Sequence, residues 1–475
     1  MMLPRLAGIS ALALLASCRT VGPDYHLPKE AVFSSAQAQA PLQDEHTSRL
    51  QQQGSLPDAW WQLYRDPALD ALVREALVAN SDLKVADLNL KRAATVESLA
   101  RSQGGFSAQA ATSAERALIS AESFLQDERL PTFSVAKGGI EASYAFDLFG
   151  KVRRGAEAAS ADTEAALAAR DLVRVTVAAR VTEHYLAICE ARHDLRIAKQ
   201  AVKLQQEAVD VAQRMRKTGR GTDFDVSRAR ALLSRSEAEL PRYDQRIEAS
   251  GYEVASLLGR PPGDVPASAS KCEAAPEIRQ PIPVGDGAAL LRRRPDIRQA
   301  ERKLAAATAR IGVAVADLYP SISFGASAGT NGLLSDYGQH PALYWSVGPL
   351  IQWHIPTRDS RERVELARIG ADVALAEFDR TVLDALKETQ VALSDYARLA
   401  ERQDALSRSL QEADVGAAQA EALYRGGKTT FIEALDAERT RIDTELALSE
   451  AKQAVSRAQV QVFLELGGGW RPPPA

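Results

Sequence analysis

Two stretches of the chain repeat apolar residues every seven positions for much longer than an ordinary globular helix. Lys151 to Lys217 contains no proline and a single glycine, Gly155. Within it Val181, Ile188, Leu195, Val202 and Val209 fall seven apart, and Ala191, Ala198 and Ala212 sit three further on. A sustained seven-residue period predicts helices packed as a coiled coil. As one helix the stretch would be about 100 Å long, at 1.5 Å per residue. Beyond a turn, Val226, Leu233, Leu240, Ile247 and Val254 keep the period, with Pro241 expected to kink that second helix. The C-terminal half repeats the plan. Thr357 to Leu466 has no proline, and Phe378, Ala385, Ala392, Leu399, Leu406, Ala413 and Ala420 form its seam.

The turns between these helices are alike. Gly219 matches Gly427, Thr222 matches Thr430, Asp225 matches Glu433 and Ala229 matches Ala437. A glycine ends one helix, and a Thr with an acidic residue three further on caps the next. The chain has duplicated a long helical hairpin. Its first repeat is read over 61–258, with the tip near 217–225, and its second over 286–466, with the tip near 425–433. A linker at 259–285 joins them. An extended segment at 18–60 precedes the repeats, and a disordered tail at 467–475 follows them.

A different period appears ahead of each long helix. Trp345, Val347, Pro349, Ile351, Trp353 and Ile355 alternate with Tyr344, Ser346, Gly348, Leu350, Gln352 and His354. Ile322, Phe324, Ala326 and Ala328 alternate with Ser321, Ser323, Gly325 and Ser327. In the first repeat Ile140, Ala142, Tyr144 and Phe146 alternate with Glu141, Ser143 and Asp147, and Phe106, Ala108 and Ala110 with Ser107 and Gln109. Strands are therefore expected at about 105–117, 132–147, 319–331 and 343–355. Roughly ten residues per strand is the length that crosses a bilayer when tilted. Four strands do not close a barrel, and an open edge in lipid leaves backbone groups unpaired. A barrel built from them must be shared between chains; three chains would supply twelve strands.

The N-terminus bears on where this happens. Arg5 precedes a short apolar run that ends Leu15-Ala16-Ser17-Cys18, the pattern of a lipoprotein signal over 1–17 with Cys18 as the lipidated residue. Arg19 follows where an Asp would favour inner-membrane retention, which points to the outer membrane. Lys+Arg 58 against Asp+Glu 62 leaves a net charge of −4 and no nucleic-acid footprint. Six scattered His lack ligand spacing, so no metal, cofactor or catalytic group is expected. Cys189 and Cys272 are free to pair or not in an oxidising compartment.

Several motifs resemble the TolC/OprM-type outer-membrane factors of tripartite efflux systems, in their lipidated, NodT-like branch. They are Val21-Gly-Pro-Asp-Tyr25, Trp60-Trp61-Gln-Leu-Tyr-Arg-Asp66-Pro67, Asn80-Ser-Asp82-Leu, Tyr144-Ala-Phe-Asp147-Leu-Phe149-Gly150, Arg293-Arg294-Pro295-Asp296-Ile297 and Leu318-Tyr-Pro320-Ser321. The resemblance implies a mainly α fold with a transmembrane β-barrel. Three chains would form a twelve-stranded barrel continuous with a periplasmic α-helical tunnel. A periplasmic adaptor and an inner-membrane pump, of the RND type, would dock below. It also implies a periplasmic gate at Tyr424, Ile432, Glu433, Asp436, Arg439 and Asp225. Arg439, three residues after Asp436 on the same helix face, is expected to pair with it, and the resemblance makes Tyr424 and Asp225 a tie between the inner and outer hairpins. Gly219, Thr222, Gly427 and Thr430 would meet the adaptor. One departure is Ile355-Pro-Thr-Arg358-Asp359, where the family carries a glycine pair; Arg358 and Asp359 are expected to cap the helix instead. The expected role is an exit duct for drugs or toxic small molecules. The alternatives are a duct for protein or peptide secretion and a lipid-anchored coiled coil without a pore.

Overall fold

The computed structural model describes residues 20–42, 51–52, 56–118, 120–125, 127–128, 131–272, 274–278, 280–284, 286–353, 355 and 358–468. The signal segment 1–17, the lipidation residue Cys18 and residues 469–475 of the tail lie outside them. The helices are α1 (Pro67–Ala79), α2 (Ser81–Ser102), α3 (Lys151–Lys217), α4 (Asp223–Leu257), α5 (Ala267–Ser270), α6 (Gly287–Arg293), α7 (Pro295–Ala316), α8 (Arg358–Arg425) and α9 (Phe431–Glu465). The strands are β1 (Gln51–Gln52), β2 (Gly105–Ala117), β3 (Phe133–Phe146), β4 (Ile282–Pro283), β5 (Ser321–Leu333) and β6 (Leu343–Gln352). The duplication is visible element by element: α1, α2, β2, β3, α3 and α4 recur as α6, α7, β5, β6, α8 and α9. Pro241 does not interrupt α4. The short parallel pair of β1 with β4 had no signature in the sequence.

The chain forms two compact units. The first comprises the chain up to Leu27, Leu90–Ala165 and Ala300–Phe378, and contains the four-stranded antiparallel sheet in the order β2-β3-β5-β6. Its middle ladder, β3 with β5, joins the two repeats. The register aligns the two side-chain periods into opposite faces. Phe106, Tyr144, Phe324 and Pro349 form one row across the sheet, and Ala110, Ile140, Ala328 and Trp345 another. This apolar face is bare, with Trp345 78% exposed. The opposite face hydrogen-bonds across strands: Ser107 to Ser143 at 2.9 Å, Gln109 to Glu141 at 3.0 Å and Ser327 to Ser346 at 2.8 Å. β2 and β6 are the sheet's open edges.

In the same unit Asp147 caps the start of α3, accepting from the backbone N–H groups of Val152 and Arg153. One turn on, buried Arg154 grips the segment that follows Cys18. Its guanidinium donates to the carbonyls of Val21 and Gly22 and to Asp24. Gly22, at φ +88°, lies so close to Gly312 that a Cβ there would collide with the backbone.

The second unit comprises Pro28–Asn89, Ala166–Gln299 and the chain from Asp379 on. Its core gathers Trp60, Leu69, Val73, Val181, Ile188, Val254, Leu258 and Phe463. Trp60 stacks on Phe463 at 4.5 Å, a contact worth about 1 kcal/mol beyond its buried area. Buried Arg294 donates to Asp296, Glu388 and Glu465. Burial disfavours its charge, but Asp296 and Glu465 outweigh that, so the guanidinium holds its proton more tightly than usual. Cys189 of α3 is disulfide-bonded to Cys272, which fastens the linker between the repeats to the helical core. Gly467 and Gly468, placed in the tail from the sequence, are folded. They close α9 with the same backbone bonds that Gly259 and Arg260 use to close α4, and Arg293 donates to the Gly467 carbonyl.

Candidate gate and docking turns

The two helical tips are local structures, and their backbones repeat in detail. At the end of α3, Arg220 N–H bonds to the Met215 carbonyl and Gly219 N–H to that of Arg216; at the end of α8, Lys428 bonds to Leu423 and Gly427 to Tyr424. Gly219 and Gly427 have φ of +73° and +67°, the left-handed conformation that closes a helix in this way. A reciprocal capping box then starts each following helix. The Thr222 hydroxyl accepts from Asp225 N–H while Asp225 accepts from Thr222 N–H, and Thr430 and Glu433 do the same.

Two of the expected gate residues serve these turns. Glu433 is engaged by its own turn, and hydrogen bonds from Thr429 and then Thr430 hold its carboxyl below the usual carboxylate range. Asp225 is held down in the same way by Thr222. Tyr424 packs edge-on against Phe431 at 5.5 Å; among the described residues neither it nor Asp225 reaches the other. Asp436 is exposed and Ile432 is 65% exposed. Arg439 does not pair with Asp436 among the described residues. On a different side of the same helix Arg441 contacts Glu438 at 2.8 Å and Glu445 at 2.9 Å. Three residues further along the helix than Asp436, Arg439 is half-exposed.

The turns share a backbone but not a charge. At the interval that carries Gly219 to Gly427, Arg216 becomes Tyr424, Arg228 becomes Asp436 and Arg230 becomes Glu438. Phe224, 71% exposed, becomes Ile432. The first tip is therefore cationic and the second carries carboxylates on its returning helix, both with an exposed apolar residue at the same place. At the second strand-to-helix junction α8 begins at Arg358 with Asp359 in its first turn.

Among the described residues no group of three or more His, Cys, Asp or Glu could hold a metal, and no helix is long and apolar enough to cross a membrane. Four strands of bilayer length with one bare apolar face, set in a chain of duplicated long helical hairpins, define an outer-membrane channel subunit. The chain belongs to the outer membrane efflux protein family, whose model matches residues 72–260 and 288–468. It is similar to Nodulation protein T of Rhizobium leguminosarum bv. viciae, with 29% identity over 99% of this chain and 94% of that protein. It is 27% identical to the probable efflux pump outer membrane protein TtgC of Pseudomonas putida, over 96% of this chain and 94% of the relative. Among solved structures it resembles the outer-membrane channel OprN, with a TM-score of 0.85 and 34% identity over 96% of this chain and all of that one. The protein is thus an outer-membrane efflux component.

Proposed function

We propose that three copies of this chain form the exit duct of a tripartite efflux pump. The observation that carries this reading is the open sheet, whose four strands have a lipid-type face, a hydrogen-bonded polar face and two free edges. In lipid those edges require partners, and three sheets joined edge to edge give twelve strands around a water-filled bore. The long helical hairpins then form the periplasmic tunnel. Lipid on Cys18 adds an anchor to a barrel that already spans the membrane, and the Arg154 clamp holds the chain from three residues beyond it. A periplasmic adaptor meets the turns at Gly219, Thr222, Gly427 and Thr430, and an inner-membrane pump of the RND type supplies the energy. The cargo class is drugs or toxic small molecules, selected by the pump. No cofactor or catalytic step is needed.

Light scattering of the detergent-extracted protein, corrected for bound detergent, tests the assembly. The expected mass is that of three chains, and a folded monomer would overturn the reading. At the gate, Asp436→Ala removes an exposed carboxylate, and Tyr424→Phe removes only a hydroxyl while keeping the ring against Phe431. Both are expected to raise single-channel conductance in planar bilayers. Unchanged conductance in both would take the gate away from these positions.

A further inference from the structure

The coiled-coil seam of the first hairpin opens over a short stretch. Ile188 and Val254 are buried, yet the next seam positions, Leu195 on α3 and Ile247 on α4, remain part-exposed. There they floor a groove of about 770 Å³, beside the disulfide-bonded Cys272. One wall is a stripe of cations on α3: Arg192, Arg196, Lys199 and Lys203. The other carries Asp244 and Glu248 of α4. None of these six is in an ion pair among the described residues, and Arg192 Nε is buried without a hydrogen-bond partner.

A solvated helix face ordinarily mixes signs at three- and four-residue spacing, as this chain does at Glu97 with Arg101 and at Arg441 with Glu438 and Glu445. The stripe on α3 does the opposite. Arg192 with Arg196, Arg196 with Lys199, and Lys199 with Lys203 are like-charged neighbours that repel. An apolar floor flanked by one positive and one negative wall is the surface a two-helix coil offers to a third helix. We propose that this groove seats a helix of a periplasmic partner protein. That helix has an apolar seam, an acidic edge facing α3 and a basic edge facing α4. Acids three and four residues apart on it meet all four cations, and the two opposed walls fix its orientation. The inference rests on the duct reading, and adds to docking at the turns a second contact further up α3, about 24 Å along the helix from Lys203 to Gly219 at 1.5 Å per residue.

The test places the photocrosslinking residue p-benzoylphenylalanine at Gln200, an exposed lining position, in the full-length protein in cells. Irradiated adducts are isolated and the crosslinked peptide is sequenced. The expected adduct maps to a partner segment with a seven-residue apolar repeat and acidic residues along one edge. Its yield falls about tenfold in the double variant Arg196→Glu, Lys199→Glu, because both charges then repel the partner. If that variant does not assemble, the neutral pair Arg196→Gln, Lys199→Gln is read instead, with a smaller loss expected. An adduct between two copies of this chain, an adduct to lipid or peptidoglycan alone, no adduct, or a partner adduct indifferent to the substitutions would each overturn the proposal. The mass and conductance measurements are independent of the groove. A protein that passes them and fails here keeps its duct and loses this seat.

Discussion

Glu190 lies inside the second unit with one carboxylate oxygen, Oε1, buried and unpaired, as is the hydroxyl of nearby Tyr64. Burial pushes its carboxyl up to about 7, against which a Ser456 hydrogen bond and the charges of Arg457 and Arg246 act only partly. The folded protein thus binds this proton more tightly than the unfolded chain, whose carboxyl sits near 4.5. Below about pH 4.5 both states are protonated and nothing is lost. As pH rises toward 7 the unfolded state ionises first, and the fold gives up about 3 kcal/mol that is missing in full above 7. Glu190→Gln should therefore raise the melting temperature at pH 8 and do so much less at pH 5, which thermal melts at the two pH values would show. Equal gains at both would mean that the carboxyl ionises normally. Nothing in the sequence singled out Glu190. It falls off the seven-residue seam, and its burial comes from α9, more than two hundred residues away in the chain.

At the scale of elements, legibility followed locality. The turns were readable because each is written within about a dozen residues: a glycine, a Thr and an acid that bond to one another. Two substitutions test those assignments. Gly427 has nothing within 4 Å of the position a Cβ would take, so Gly427→Ala costs only the left-handed backbone, about 1 kcal/mol. Thr430→Ala removes the cap and should cost about the same. Hydrogen exchange of the α9 N-terminus should quicken in both, and unchanged protection would deny the turn its role. The strands were readable as alternation, yet their register was not. The pairing of Tyr144 with Phe324 joins segments with two long helices between them, and period alone does not say which residues stand opposite. Pro241 shows the same limit from the other side: it is exposed on α4, and the helix continues through it.

For the molecule as a whole, the contacts that hold distant segments together were the least visible. The Arg294 cluster draws on α7, α8 and α9, and its motif could be quoted without its partners. The disulfide closes a separation of 83 residues, and two cysteines alone left pairing open. A native disulfide is typically worth about 2–4 kcal/mol. Cys272→Ser should lower the denaturant midpoint accordingly, with the trimer mass retained; no shift would mean that the linker is held without it. Identity of class, by contrast, was legible early. Period seven and period two in one duplicated chain, with membrane-length strands, fit few other architectures.

The ladder between β3 and β5 also dictates a sequence of events. A hairpin of β2 and β3 emerges early from translocation, but the strand that completes its inner edge arrives only after α3, α4 and the linker have passed. Until then one bare apolar face and an unpaired strand edge wait in water, the condition that favours aggregation. Barrel formation in this protein is therefore a late, long-range step. During that wait the first half of the chain depends on whatever shields it in transit.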